Sequence, residues 1–166
     1  MKKHLTFILS FTFMMIFSQI ENIKNGEKIT LRIHYGFLNA GYATLTANQV
    51  NYRNAPHYRV TGIGKSTGAV RAFFKVDDVY ESYINIATGL PSHYVRNVSE
   101  GGYKRHFETD FNHDNQTLVL TNKLDKTSKN FKTVKGIQDM ISAFYYLRSM
   151  DASNFKVGSS LKINIW

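Results

Sequence analysis

The chain contains no cysteine. No disulfide can form, so burial alone must hold the fold together. Nor does a cysteine follow the N-terminal apolar run, which excludes a lipid-anchored lipoprotein. Long apolar runs are scarce as well. The segment "LTFILSFTFMMIF", Leu5 to Phe17, follows Lys2, Lys3 and His4 and has the length of a signal peptide rather than of a bilayer span. We expect residues 1–18 to be a signal peptide cut after Ser18 and residues 19–166 to form a single exported, periplasmic domain with no mature transmembrane helix. An uncleaved membrane anchor is the alternative. Acidic residues are also few: Asp and Glu total 12 against 21 Lys and Arg, for a net charge of +9. Loss of Lys2 and Lys3 leaves +7, because no acid precedes Glu21. Such a surplus suits lipid headgroups, phosphorylated glycolipids or cell-wall polymers. Nucleic acid fits the charge but not the address, so no nucleic-acid partner is expected.

Catalytic motifs are missing too. "GIGKST", Gly62 to Thr67, has the tail of a phosphate-binding loop, but the loop needs its first glycine at position 59, where Arg59 stands. A dinucleotide fingerprint from Gly62 and Gly64 fails at Thr67. These glycines instead suggest a bulge or a tightly curved strand. No G-x-S-x-G elbow is present. "HFETDFNHD" gathers His106, Glu108, Asp110, His113 and Asp114 without a metal-ligand spacing, and Asp77 with Glu81 is a weak carboxylate pair for glycoside chemistry. No cofactor, metal or catalytic residue is assigned, and the chain is not expected to be an enzyme.

What is present is period-two alternation. Ile29, Leu31, Ile33 and Tyr35 alternate with polar residues. "YATLTANQV", "HYRVTGIGK", "KVDDVYESYINI", both arms of "SHYVRNVSEGGYKRHFETDFN", "TLVLTN" and "LKINIW" also read as strands, separated by turn-forming Gly, Asn and Pro. "GAVRAFF" reads as a short helical turn and "KLDKTSKNFKTVK" as a polar, solvated connection. The period shifts to three and four at Ile137, Met140, Ile141, Phe144 and Leu147, which predicts one helix over 136–149 with Asp139 in its first turn. The fold class is therefore mainly β: a curved antiparallel sheet, barrel or half-barrel, with one packing helix.

Aromatic residues crowd the strands. Cross-strand packing explains them, and so does an apolar cavity of the kind barrel folds enclose. If a ligand is held, Tyr35, Phe37, Tyr83, Tyr94 and Arg96 are the candidates, with Arg96 meeting an anionic head. This favours a non-catalytic binding or carrier module for an amphipathic anionic ligand such as a lipid or glycolipid. Peripheral membrane contact is compatible with it. An envelope assembly protein that recruits a protein partner through a sheet edge is the alternative, followed by a periplasmic hydrolase using Asp77/Glu81 or His106/Asp110.

"GEKITLRIHYGFLNAGYATL", "GKSTGAVRAFFKVDDVYESYINIATGLPSHYVRNVSEGGY" and "VKGIQDMISAFYYLRSMD" resemble the exported bacterial domain-of-unknown-function family 3108 in its Bacteroidetes-type form, from about Gly26 onward. The resemblance implies an exported β-rich architecture and no established activity. It also implies further strands after Trp166, so the domain is expected to be incomplete at that end.

Overall fold

The structure, a computed structural model, describes residues 23–166; the apolar segment expected to be a signal peptide lies outside them. Eight strands form one antiparallel meander in simple sequence order. They are β1 Glu27–Tyr35, β2 Leu38–Tyr52, β3 Ala55–Ser66, β4 Asp77–Asn85, β5 Pro91–Glu100, β6 Tyr103–Asn112, β7 Thr117–Asn122 and β8 Thr127–Lys132. Helix α1, Gly68–Phe73, joins β3 to β4, and α2, Met140–Arg148, follows the sheet. Strands β1 and β8 do not pair, so the sheet stays open. No helix among the described residues is long and apolar enough to cross a membrane.

Alternation decides which side chains meet. Ala47 pairs with Val60, Val60 with Ser82, Ser82 with Tyr94, and Tyr94 with Thr109. Residues directly opposite in an antiparallel ladder share a face, so these side chains run across one side of the sheet. Helix α2 lies on that side. Its Ile141 and Tyr145 complete a core with Val60, Ile84, Phe111 and Leu118. Burying an aliphatic side chain such as Ile84 contributes roughly 1.5–3 kcal/mol.

Four expectations need correction. The helix starts at Met140, not Gly136, because the Asp139 side chain accepts from the Ile141 and Ser142 backbone N–H groups and caps it. Asp139 is thus the cap and lies outside the first turn. The buried residues of the helix are Ile141, Ser142, Ala143 and Tyr145, whereas Met140, Phe144 and Leu147 are exposed. In a segment apolar nearly all round, periodicity alone cannot select the face. The stretch "KLDKTSKNFKTVK" is not a free connection. It turns back on itself, and β8 pairs with β7 through Leu118–Phe131 and Leu120–Lys129. "LKINIW" is not a strand: it makes one parallel bridge, Gln138 with Ile165.

A polar clamp fixes the helix to the first strand. Arg148 donates to Glu27 (Nη2 to Oε2, 2.7 Å), and the Tyr145 hydroxyl donates to Oε1 at 3.3 Å. The Arg148 hydrogen bond holds the Glu27 carboxyl below its ordinary range, against the opposing effect of burial. A depressed carboxylate stabilises the fold above its unfolded pKa and loses that contribution as pH falls through its folded value. Glu27→Gln is expected to cost about 1 kcal/mol at neutral pH, read as a lower urea midpoint, and the deficit should shrink in acid.

Candidate functional site

On the helix-bearing face the sheet is only partly covered. Beside α2 a cleft of about 400 Å³ opens over β4–β7. Tyr80, Tyr94, Phe107 and Leu120 form much of its wall, Met140 and Trp166 close one side, and Arg96 reaches in with them. Pairing of Tyr80 with Arg96 and of Arg96 with Phe107 places these three in a row across three strands. A second recess of about 350 Å³ continues towards β8. Phe107 and Leu120 line both, and Asn122, Asp125 and Thr127 line its far end.

The electrostatics of the cleft are uneven. Burial pushes the Tyr94 phenol upward, with the nearby Asp139 carboxylate acting in the same direction. Tyr80 is raised mainly by burial, next by Asp78, and Arg96 beside it acts the other way. Both hydroxyls therefore stay protonated donors at any ordinary pH. Arg96 is exposed and forms no ion pair among the described residues. A cation above an aromatic wall suits an anionic group attached to an apolar body.

Beneath the cleft, Asp139 is fully buried. It accepts from the Ser82 hydroxyl at 2.7 Å and from the Ile141 and Ser142 N–H groups at 2.8 Å each. Burial raises its carboxyl to about 6, with these hydrogen bonds opposing.

The opposite face carries its own cluster. Tyr52 lies 4.4 Å from Tyr83 and 5.9 Å from His93, centroid to centroid. Asp110 accepts from Arg53 at 2.6 Å and bonds His93 Nδ1 at 2.8 Å, and Arg59 donates to Glu81 at 2.6 Å. The buried His57 joins Ser92 Oγ at 2.8 Å through Nε2 and the Ala55 carbonyl at 2.9 Å through Nδ1. A carbonyl can only accept, so Nδ1 donates to it, and Nε2 shares the second hydrogen bond with Ser92. This resembles a nucleophile and its base. However, the neighbouring turn's N–H groups at Ala87, Thr88, Gly89 and Leu90 are all bonded to Asn85, Thr88 or the backbone. Donors to stabilise an oxyanion are thus taken up there.

The sequence candidates separate. Tyr94 and Arg96 come together in the cleft. Tyr83 pairs with His93 and so points to the other face from Tyr94. Phe37 is at the tip of the β1–β2 turn, fully exposed. Tyr35 closes β1 opposite Leu38, and its side chain lies outside the described ones. The sequence pattern alone does not single out Tyr80, Phe107, Leu120, Met140, Trp166 or Asp139 as site residues. Spacing of two from Tyr94 and Arg96 finds neighbours within one strand, but only the register of β5 against β6 brings in Phe107. Asp77 is paired with Arg71 and Glu81 with Arg59, and no group of three or more His, Asp or Glu side chains placed to hold a metal occurs among the described residues.

Comparison with known proteins gives no further chemistry: neither the curated proteins nor the solved structures searched yielded a match. A family model does match, over residues 30–166, and its description is "Protein of unknown function (DUF3108)". That span takes in every strand from within β1 onward, both helices and every cleft residue, and the chain is a member of the DUF3108 family.

Proposed function

We propose that the cleft binds one amphipathic ligand with an apolar body and an anionic head, of lipid or glycolipid type, and that the protein is an exported, periplasmic binding or carrier module without catalytic activity. The observation that carries this reading is Arg96, a cation free of ion pairs among the described residues, at the edge of a wall built from Tyr80, Tyr94, Phe107 and Leu120. The head would pair with the guanidinium and the body would displace water from the aromatic wall. Export is inferred from the composition of residues 1–18 alone. A second reading, recruitment of a protein strand, draws on the open edge at β8, whose six residues are all exposed. Lys129 and Lys132 on that edge discourage indiscriminate pairing.

Trp166 is the sole tryptophan and lines the cleft, so its emission reports occupancy directly. Titration with lysophosphatidylglycerol is expected to shift that emission. Arg96→Glu should weaken the apparent affinity by about tenfold or more, and Phe107→Ala by a comparable factor. Tyr83→Ala, on the other face, should leave it unchanged. Native mass spectrometry of protein recovered from its own envelope should show a releasable added mass. An unresponsive Trp166 together with a clean apo mass would reject ligand carriage.

A further inference from the structure

In a meander the turns alternate between two ends of the sheet, and here the turns at the two ends differ. At one end lie the β2–β3, β4–β5 and β6–β7 turns. Their exposed residues are Arg53 and Asn54, Ala87 and Thr88, and Asp114, Asn115 and Gln116. None of these turn residues is a large apolar side chain, although Val134, 50% exposed, and the exposed Lys132 and Lys135 follow β8 at this end. At the other end lie the β1–β2 turn, α1 with the residues after it, and the β5–β6 and β7–β8 turns. Each of these places a large apolar side chain in solvent: Phe37, fully exposed; Phe73, 91% exposed; Tyr103; and Leu124, 54% exposed.

Cations accompany these apolar tips. Lys65, Lys75, Lys104, Arg105 and Lys126 are exposed at this rim, and Lys123 is paired with Glu108. The acids there are fewer and partly taken. Asp77 is held by Arg71 and Lys75, Asp125 accepts from Asn122, and Glu100 closes β5. The rim is also ordered rather than a set of free loops. The Phe74 ring lies against Gly101, where an added Cβ would come within 2.9 Å, and the Gly101 N–H donates to the Lys75 carbonyl at 2.8 Å. The tips are thus presented by a fixed frame. Finally, the recess beyond the cleft ends at Asn122, Asp125 and Thr127, on this same rim.

We propose that this rim docks on an anionic lipid surface. Phe37, Phe73 and Leu124 enter the headgroup boundary, and Lys75, Lys104 and Lys126 meet lipid phosphates. Aromatic side chains favour that boundary, and each nearby cation adds attraction to it. Charge complementarity decides for lipid over a protein groove: the tips are spread over four separate connections, as a flat surface requires, and basic residues stand between them. Docking would set the open end of the recess against the membrane, where an amphiphile could pass between bilayer and cleft. The docking itself stands on the rim and does not depend on the cleft being filled.

The absence of cysteine permits single-site labels. Phe37→Cys, Phe73→Cys, Asn54→Cys and Asn115→Cys variants of the full chain would each carry nitrobenzoxadiazole. They would be mixed with vesicles of phosphatidylcholine alone or of phosphatidylcholine with phosphatidylglycerol. The two rim labels should brighten by about threefold or more and shift to the blue with the anionic vesicles only, as apolar side chains seat in the boundary. The two far-end labels should not respond. Lys104→Ala and Lys126→Ala should each weaken the rim response by roughly fivefold in lipid concentration. The N-terminal apolar segment is common to all four proteins and joins β1 at the far end, so any pull from it would act on the Asn54 and Asn115 labels rather than on the rim labels. Equal responses at both ends, or equal responses with neutral vesicles, would overturn the proposal. Silence at every site would also overturn it and leave the rim to a protein partner. Trp166 emission, followed in the same samples, separates docking from filling of the cleft.

Discussion

Asp139→Ala should lower the stability of the protein by about 2 kcal/mol at pH 7, whereas Asp139→Asn should leave it at least as stable as the parent. Both variants remove the same buried charge. They differ in what remains for the donors around it. Alanine strands the Ile141 and Ser142 N–H groups, which both donate to Oδ1, and leaves the Ser82 hydroxyl without its acceptor in a closed site. Asparagine keeps an amide oxygen for the two helix N–H groups and offers its N–H₂ to the Ser82 oxygen.

The pH dependence separates both variants from the parent. Burial raises the Asp139 carboxyl from an ordinary 3.8 to about 6. The folded protein therefore holds this proton more tightly than the unfolded chain does. Stability contributed by the group is fully present below the unfolded value and is lost as pH rises towards the folded value. Over that interval the loss is about 3 kcal/mol for a shift of this size. Both variants lack this titration, so the standing of Asp139→Asn relative to the parent should improve from pH 4 to pH 7, roughly the window between the two pKa values. Urea denaturation across that window measures it. If Asp139→Asn is destabilised as much as Asp139→Ala at pH 7, the hydrogen-bond assignment of the cap is wrong.

Gly41→Ala should be the most damaging of the three glycine substitutions in β2 and β3, at about 3 kcal/mol. An added Cβ would stand 2.4 Å from the Lys65 carbonyl oxygen and 3.2 Å from the Ser66 Cα. These are backbone atoms of the paired strand, fixed by the β2–β3 ladder and by the bond from Thr67 N–H to the Ala40 carbonyl. Separating them would open the sheet where α1 begins. Gly62→Ala should be milder, about 1 kcal/mol, because its Cβ would press on the movable end of Leu45 at 3.1 Å. Gly64→Ala, with 3.7 Å to the Asp78 Cβ, should be close to neutral. Thermal melts of the three variants test the order. The same order accounts for "GIGKST" without a nucleotide: Gly62 lies under Leu45 and Ile141 where the helix approaches the sheet, and its strand continues through Ser66 into the short α1.

Much of the architecture was legible because strand alternation is a local property. The arms around Gly101-Gly102 and "TLVLTN" carry the period that a half-buried sheet imposes, and Ile29 to Ile33 carries it too, although Leu31 and Ile33 are exposed on the edge strand. The helix was legible for the same reason, through its change of period. The errors lie where local pattern is silent. The Lys-rich stretch after Asn122 has little apolar alternation, yet β7 supplies the pairing partner that makes it β8. "LKINIW" has the alternation of a strand, but it finds only Gln138 to pair with.

The sequence by itself determined a cysteine-free, basic, strand-rich chain with one late helix, since composition and periodicity reside in single segments. Only the tertiary structure decided that Tyr94 and Arg96 share a cleft while Tyr83 faces away, because the face is set by the register of β4 on β5. It alone placed Phe107, Met140 and Trp166 around that cleft, buried Asp139 beneath it, and gathered Phe37, Phe73 and Leu124 on one rim. Those residues are far apart in the chain. Their meeting depends on strand order and helix docking, which arise from the summed burial of the whole sheet and are written in no single motif.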